Sequence, residues 1–184
     1  MTGKSKTADR PAVHSMASTA LMAAVLCLLG PVSLPIGPVP ISLGTLGIYL
    51  ALYLLGWKRG TVSVLIYLLL GLVGLPVFSG FAGGLARLIG PTGGYLMGYL
   101  PMAWIAGALM DRLPGRVGVL VALGTGTAVL YICGTAYYCL LTDAEVKTAI
   151  GLCVLPFLPV DGGKLALAAL VCPAVRARLG KGAG

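Results

Sequence analysis

The sequence predicts an all-α integral membrane protein. It has six transmembrane helices in one domain over about residues 14–179, short polar tails at 1–13 and 180–184, and both termini on the cytoplasmic side. Three observations predict this. Of 184 residues 58% are hydrophobic and only 10% charged, with a mean hydropathy of +0.99; soluble domains carry about 25% charge. One domain has no interior large enough to hide that much apolar surface, so the solvent around it is lipid. Apolar runs then alternate with short breaks of proline, glycine and charge, at spacings that fit spans of about 20 residues. Finally, the cations sort by side. With the N-terminus inside, six spans place Lys4, Lys6, Arg10, Lys58, Arg59, Arg112, Arg116, Arg176, Arg178 and Lys181 inside, and only Arg87, Lys147 and Lys164 outside. That asymmetry is the usual mark of cytoplasmic loops, and an odd number of spans spoils it.

The elements follow in order. Residues 1–13 read as a polar, disordered tail, and the lone histidine, His14, sits beside it without a partner. The first span runs from about Ser15 to Gly30; a cleaved signal peptide is the weaker reading, because no small-x-small cleavage context stands out. Pro31, Pro35, Pro38 and Pro40 make the next segment irregular. A second span covers about Gly44–Trp57 and stops at Lys58-Arg59-Gly60. The third covers about Thr61–Leu75. Phe78–Gly94 is glycine-rich and carries Arg87. A fourth span covers about Tyr95–Met110, and a fifth about Val117–Leu141. Thr142–Glu145 is polar and caps a short amphipathic helix holding Lys147. Pro156 and Pro159 break the chain before the sixth span, which runs to about Val175.

The same composition excludes a soluble enzyme, a disordered chain and a disulfide scaffold. The net charge of +8 comes without an aromatic–basic stripe, so it orients the chain in a membrane and does not mark nucleic-acid binding. Cys27, Cys133, Cys139, Cys153 and Cys172 lie in or beside apolar runs with no C-x-x-C pair, as buried fillers do and metal ligands do not.

Function in a membrane protein shows in residues that lipid excludes. Three segments qualify, all in the outer half: the proline-rich turn 31–43, the glycine-rich loop with Arg87, and the start of the last span. There Asp161 and Lys164 stand three residues apart on one helix face, as a self-satisfied ion pair or as a polar clamp for a ligand. Arg87 is either a snorkelling interfacial residue or a binding cation. Tyr95 is either an interfacial aromatic or a ligand wall. Gly90-Pro91-Thr92-Gly93-Gly94 lacks the Lys-Ser/Thr of a phosphate loop. Ala17, Ala20 and Ala24 give the first span a small-residue stripe that lets another helix approach. With no nucleotide loop, the chain does not drive ATP-powered transport alone. An intramembrane enzyme using Asp161 and Lys164 is the alternative class. A secondary transporter is disfavoured by the lack of an internal repeat between 15–75 and 95–175.

Four motifs resemble one family in order and spacing over about residues 17–172. They are Gly37-Pro38-Val39-Pro40-Ile41-Ser42-Leu43-Gly44-Thr45; Gly71-Leu72-Val73-Gly74-Leu75-Pro76-Val77-Phe78 with Gly83-Gly84; Gly90-Pro91-Thr92-Gly93-Gly94-Tyr95-Leu96 with Gly98; and Pro159-x-Asp161-x-x-Lys164. The chain resembles BioY, the biotin-binding substrate component of energy-coupling factor (ECF) transporters. Gly44 departs from the glutamine often seen there, and Gly162-Gly163 replaces bulkier apolar residues at the start of the last helix. The resemblance implies a six-helix fold in the cell membrane and biotin as the transported ligand, with no cofactor. It implies a site drawn from Ser42, Thr45, Arg87, Thr92, Gly93, Tyr95, Asp161 and Lys164. It also implies docking through Ala17, Ala20 and Ala24 onto a coupling membrane protein bound to paired ATPases, or self-association if the chain acts alone. The chemistry agrees: a ureido ring needs a fixed acceptor and donors, its thiophane neighbour an apolar wall, and its carboxylate a cation.

Overall fold

In the computed structural model the chain is helical almost throughout. Residues 9–35, 39–113 and 115–181 are described, with side chains over 13–35, 39–113 and 115–172. Lys4, Lys6, Gly37, Pro38, Pro114, residues 182–184 and the side chains of Arg10, Arg176, Arg178 and Lys181 lie outside the described residues.

Helix α1 spans Asp9–Leu29. Residues 9–13, expected in a disordered tail, therefore form its first turn, and His14 stands exposed on it. Pro11 is tolerated there because the first four amides of a helix have no intrahelical partner. The proline-rich segment is pinned by a two-residue antiparallel ribbon, β1 (Ser33–Leu34) with β2 (Ile41–Ser42), registering Ser33 against Ser42.

Helix α2, Gly44–Leu72, is interrupted at Gly56 (φ 78, ψ 172), a backbone conformation essentially confined to glycine. The chain folds back there. A Cβ built on Gly60 would lie 3.0 Å from the carbonyl oxygen of Ala51, whereas nine residues of unbroken helix span about 13 Å. The second and third expected runs are thus the arms 44–55 and 57–72. The glycine-rich loop holds a five-residue helix, α3 (Leu85–Ile89), that the sequence reading did not anticipate. The loop is tied back by Phe78, buried edge-on against Tyr67 (5.7 Å) where Gly71 has no side chain, and by the amide of Gly80 donating to the carbonyl of Pro31 (3.1 Å).

Helices α4 (Gly93–Arg112) and α5 (Gly115–Thr142) form the main packed pair. Their seam is built from small residues. Gly94 and Gly98 on α4 face Leu130, Cys133 and Tyr137, and Gly126 on α5 faces Ala106 and Met102. This is how helices pack closely where lipid offers no hydrophobic drive to associate. Helix α6 (Val146–Cys153) is the expected short helix. Its N-cap, Glu145, falls in the expected capping segment Thr142–Glu145, but no side chain bonds the free amides. Asp143 lies two residues too early to do so.

Helix α7 (Phe157–Lys181) starts before Pro159, so that proline does not break the chain. It sits in the first turn, where its missing N–H costs no hydrogen bond. Gly162 and Gly163 stay helical and face open space. Helix α5 is long and apolar enough to cross a membrane, α2 is so only when its two arms are counted as one length, and α6 with α7 passes as a pair bent by 45°. Large exposed apolar side chains such as Leu28, Ile132, Leu140 and Leu170 stud the outside, as on a lipid-facing bundle.

Candidate functional site

The ribbon, the loop 76–92, the facing ends of α2, α4 and α7 and the middle of α5 enclose one cavity of about 40 Å³. On that measure about 10–15 Å³ holds one water. Its polar floor is a buried pair. Lys164 Nζ lies 2.7 Å from Asp161 Oδ1, and both side chains are almost fully enclosed. Lys164 also donates to the carbonyl oxygen of Ser42 (2.7 Å) and to Thr45 Oγ1 (2.9 Å). An ammonium has three N–H groups, so Lys164 is saturated. Asp161 Oδ2 accepts from the Tyr131 hydroxyl at 2.7 Å. A carboxylate offers about four lone-pair sites, so each Asp161 oxygen keeps capacity toward the cavity. The self-satisfied pair and the ligand clamp are thus not exclusive: Lys164 is used up and Asp161 is not.

The walls are aromatic. Tyr95 stacks on Phe157 with ring centroids 6.2 Å apart and planes 10° apart, and donates to the carbonyl oxygen of Cys153 (2.9 Å). It is buried within the bundle. Tyr99, one turn on, places its hydroxyl 3.5 Å from Ser42 Oγ. A Cβ on Gly44 would approach that hydroxyl at 3.2 Å, so the lack of a side chain at 44 leaves Tyr99 its place. Arg87, from the last turn of α3, lines the rim half-buried and makes no ion pair among the described residues.

Seven of the eight expected ligand residues line this cavity: Ser42, Thr45, Arg87, Thr92, Tyr95, Asp161 and Lys164. Gly93 does not. Its Cα abuts the Leu88 backbone, so its missing side chain serves the turn between α3 and α4. Sequence reasoning missed Tyr131, Tyr99, Phe157 and Phe78. Two had a signal. Tyr131 is a hydroxyl in mid-span, which must find a partner, and Phe157 precedes Asp161 by one helical turn. Ala17, Ala20 and Ala24 lie exposed along α1, away from the cavity. Ala17 and Ala20 border an apolar groove against Val62 and Ile66.

An apolar-coated helical bundle with an aromatic cavity over a buried ion pair defines a membrane protein built around a small-molecule site. The family model described as the BioY family matches residues 1–181. The biotin transporter BioY of Thermotoga maritima is 34% identical over 159 residues, 86% of this chain and 94% of that one. The biotin transporter BioY of Rhizobium etli is 38% identical over 170 residues, 85% and 90% of the two chains. The crystal structure of the S-component for biotin from an ECF-type ABC transporter matches with a TM-score of 0.84 at 29% identity, covering 94% of this chain and 95% of that chain. The chain belongs to the BioY family. It is a transporter component and not an enzyme, which sets aside a catalytic Asp161–Lys164 pair, and no cofactor is indicated.

Proposed function

We propose that the chain is the biotin-binding substrate component of an ECF transporter, set in the cell membrane with six spans and both termini cytoplasmic. The six spans are α1, the two arms of α2, α4, α5 and the bent pair α6–α7, forming one domain over residues 14–179. The placement of charge supports this. Gly56, Asp111 and Arg116 border one cleft, and Lys58 and Arg59 adjoin the start of α1. Arg87, Asp161 and Lys164 lie together at a separate cavity.

The observation that carries the ligand is one cavity with an open acceptor at its floor, aromatic walls and, at its rim, a cation that is unpaired among the described residues. Asp161 accepts a ureido N–H, Tyr95 and Phe157 flank the thiophane ring, and Arg87 takes the carboxylate. Lys164 has no proton left to give, so it braces the site and leaves the carboxylate to Arg87. The cavity is small, so the ligand enters by parting the walls. Uptake is energised by a coupling membrane protein with paired ATPases, docked on the small-residue stripe Ala17, Ala20 and Ala24.

Equilibrium binding of radiolabelled biotin to the purified protein, with lipoate as competitor, tests this reading. Biotin binds and lipoate does not compete; Asp161→Asn weakens binding about tenfold or more, since a buried unpaired N–H costs about 1–3 kcal/mol. No biotin binding by the wild type overturns the reading. Unchanged affinity in the variant removes Asp161 from the site.

A further inference from the structure

Tyr131 stands in the middle of α5, half-buried, on the wall of the cavity. Its hydroxyl is 2.7 Å from Asp161 Oδ2, and the other oxygen of that carboxylate is 2.7 Å from Lys164 Nζ. A carboxylate held by an ammonium carries no proton, so the hydrogen in the Tyr131–Asp161 bond belongs to the tyrosine. A phenol has one proton and lone pairs. With that proton committed to Asp161, Tyr131 offers the cavity only an acceptor. Lys164 cannot reverse this, because its three protons go to Asp161, Ser42 and Thr45. The floor therefore has a set polarity: Asp161 and Tyr131 both accept.

We infer that Tyr131 is a specificity-determining residue that reads a ring N–H of the ligand, with its polarity fixed by the buried Asp161–Lys164 pair. This rests on the biotin reading above. A ureido ring presents two N–H groups, and an acceptor-only floor favours rings that keep them. Methylation of the ureido nitrogen facing Tyr131 removes the donor and sets a methyl group against the hydroxyl. Phenylalanine at 131 removes both the acceptor and the atom that crowds the methyl.

The test is equilibrium binding by the purified full-length chain, with biotin and with the two biotins methylated on one or the other ureido nitrogen. The wild type binds at least one methylated form about tenfold or more weakly than biotin. Tyr131→Phe lowers biotin affinity about tenfold and brings biotin and that methylated form to near equality. Equal losses for both ligands show a ring that only packs, and overturn the inference. So does a wild type that binds biotin and both methylated forms alike, a result that needs no variant to fold. Asp161→Asn, with Lys164 still present, keeps its amide oxygen on the ammonium and turns its NH2 toward Tyr131, which frees the Tyr131 proton to turn toward the cavity and also loses the discrimination; retained discrimination there overturns the role of the pair. A wild type that binds no biotin instead overturns the functional reading itself.

Discussion

Lys164→Met keeps most of the side chain's length and apolar stem and removes only the ammonium. Asp161 then loses its counter-ion while almost fully enclosed and is held by the Tyr131 hydroxyl alone, and the Ser42 carbonyl and Thr45 Oγ1 lose a donor. Breaking a buried pair by removing one partner costs roughly 3–5 kcal/mol. For a chain of this length, at about 2–4 °C per kcal/mol, the midpoint falls by roughly 6–20 °C. Thermal unfolding in detergent, followed by reaction of the newly exposed thiols of Cys153 and Cys172 with a dye, reads this directly; both are buried and free in the fold. Asp161→Asn combined with Lys164→Met removes both charges and keeps an acceptor for Tyr131, so most of the stability returns while biotin binding does not. A single variant as stable as wild type, or a double variant no better than the single, refutes the account of Lys164 as a brace.

The remaining expectations are narrower. Arg87→Ala weakens biotin roughly tenfold or more, in line with about 1.5–3 kcal/mol for a hydrogen bond to a charged group, and leaves biotin methyl ester unaffected; equal losses for acid and ester would place the carboxylate elsewhere. Gly98→Leu forces a side chain onto Leu130 and Cys133, which a Cβ alone would approach at 3.0 and 3.2 Å. Overpacking of about 1–3 kcal/mol lowers the melting midpoint, whereas Gly124→Leu, which meets nothing within 4 Å, leaves it unchanged. Ala20→Leu with Ala24→Leu, both on exposed positions, preserves biotin binding and abolishes ATP-driven uptake by the reconstituted complex; unimpaired uptake would move the docking surface off this stripe.

Much of the bundle was legible because hydropathy and the sorting of cations act over whole segments. The failures were local. Lys58-Arg59-Gly60 marked the turn between the second and third spans, yet the backbone breaks earlier, at Gly56, because the sequence shows several glycines and only the fold shows which must take positive φ. Helix α3 escaped notice because five residues between glycines carry no periodicity. Pro159 was read as a breaker because proline alone does not reveal whether it falls in a helix interior or a first turn. At the site, polar residues in apolar surroundings gave themselves away, as Asp161, Lys164 and Arg87 did. The apolar wall residues Phe78 and Leu130 did not, since they look like any other core side chains.

The buried pair remains the point on which fold and site meet. Replacing a buried ion pair by apolar side chains is often neutral or stabilising, so stability alone is a poor reason for Asp161 and Lys164. Geometry offers a better one. Lys164 on the last helix reaches Ser42 and Thr45, 122 and 119 residues earlier in the chain, and so closes the cavity between the ribbon and α7. Asp161, held on one side by Lys164 and on the other by Tyr131, is fixed in orientation with lone pairs left over. A methionine–leucine pair in the same space could hold the helices together. It would leave the cavity with no acceptor for an N–H and no brace between its two walls, which makes the pair a requirement of binding before it is one of folding.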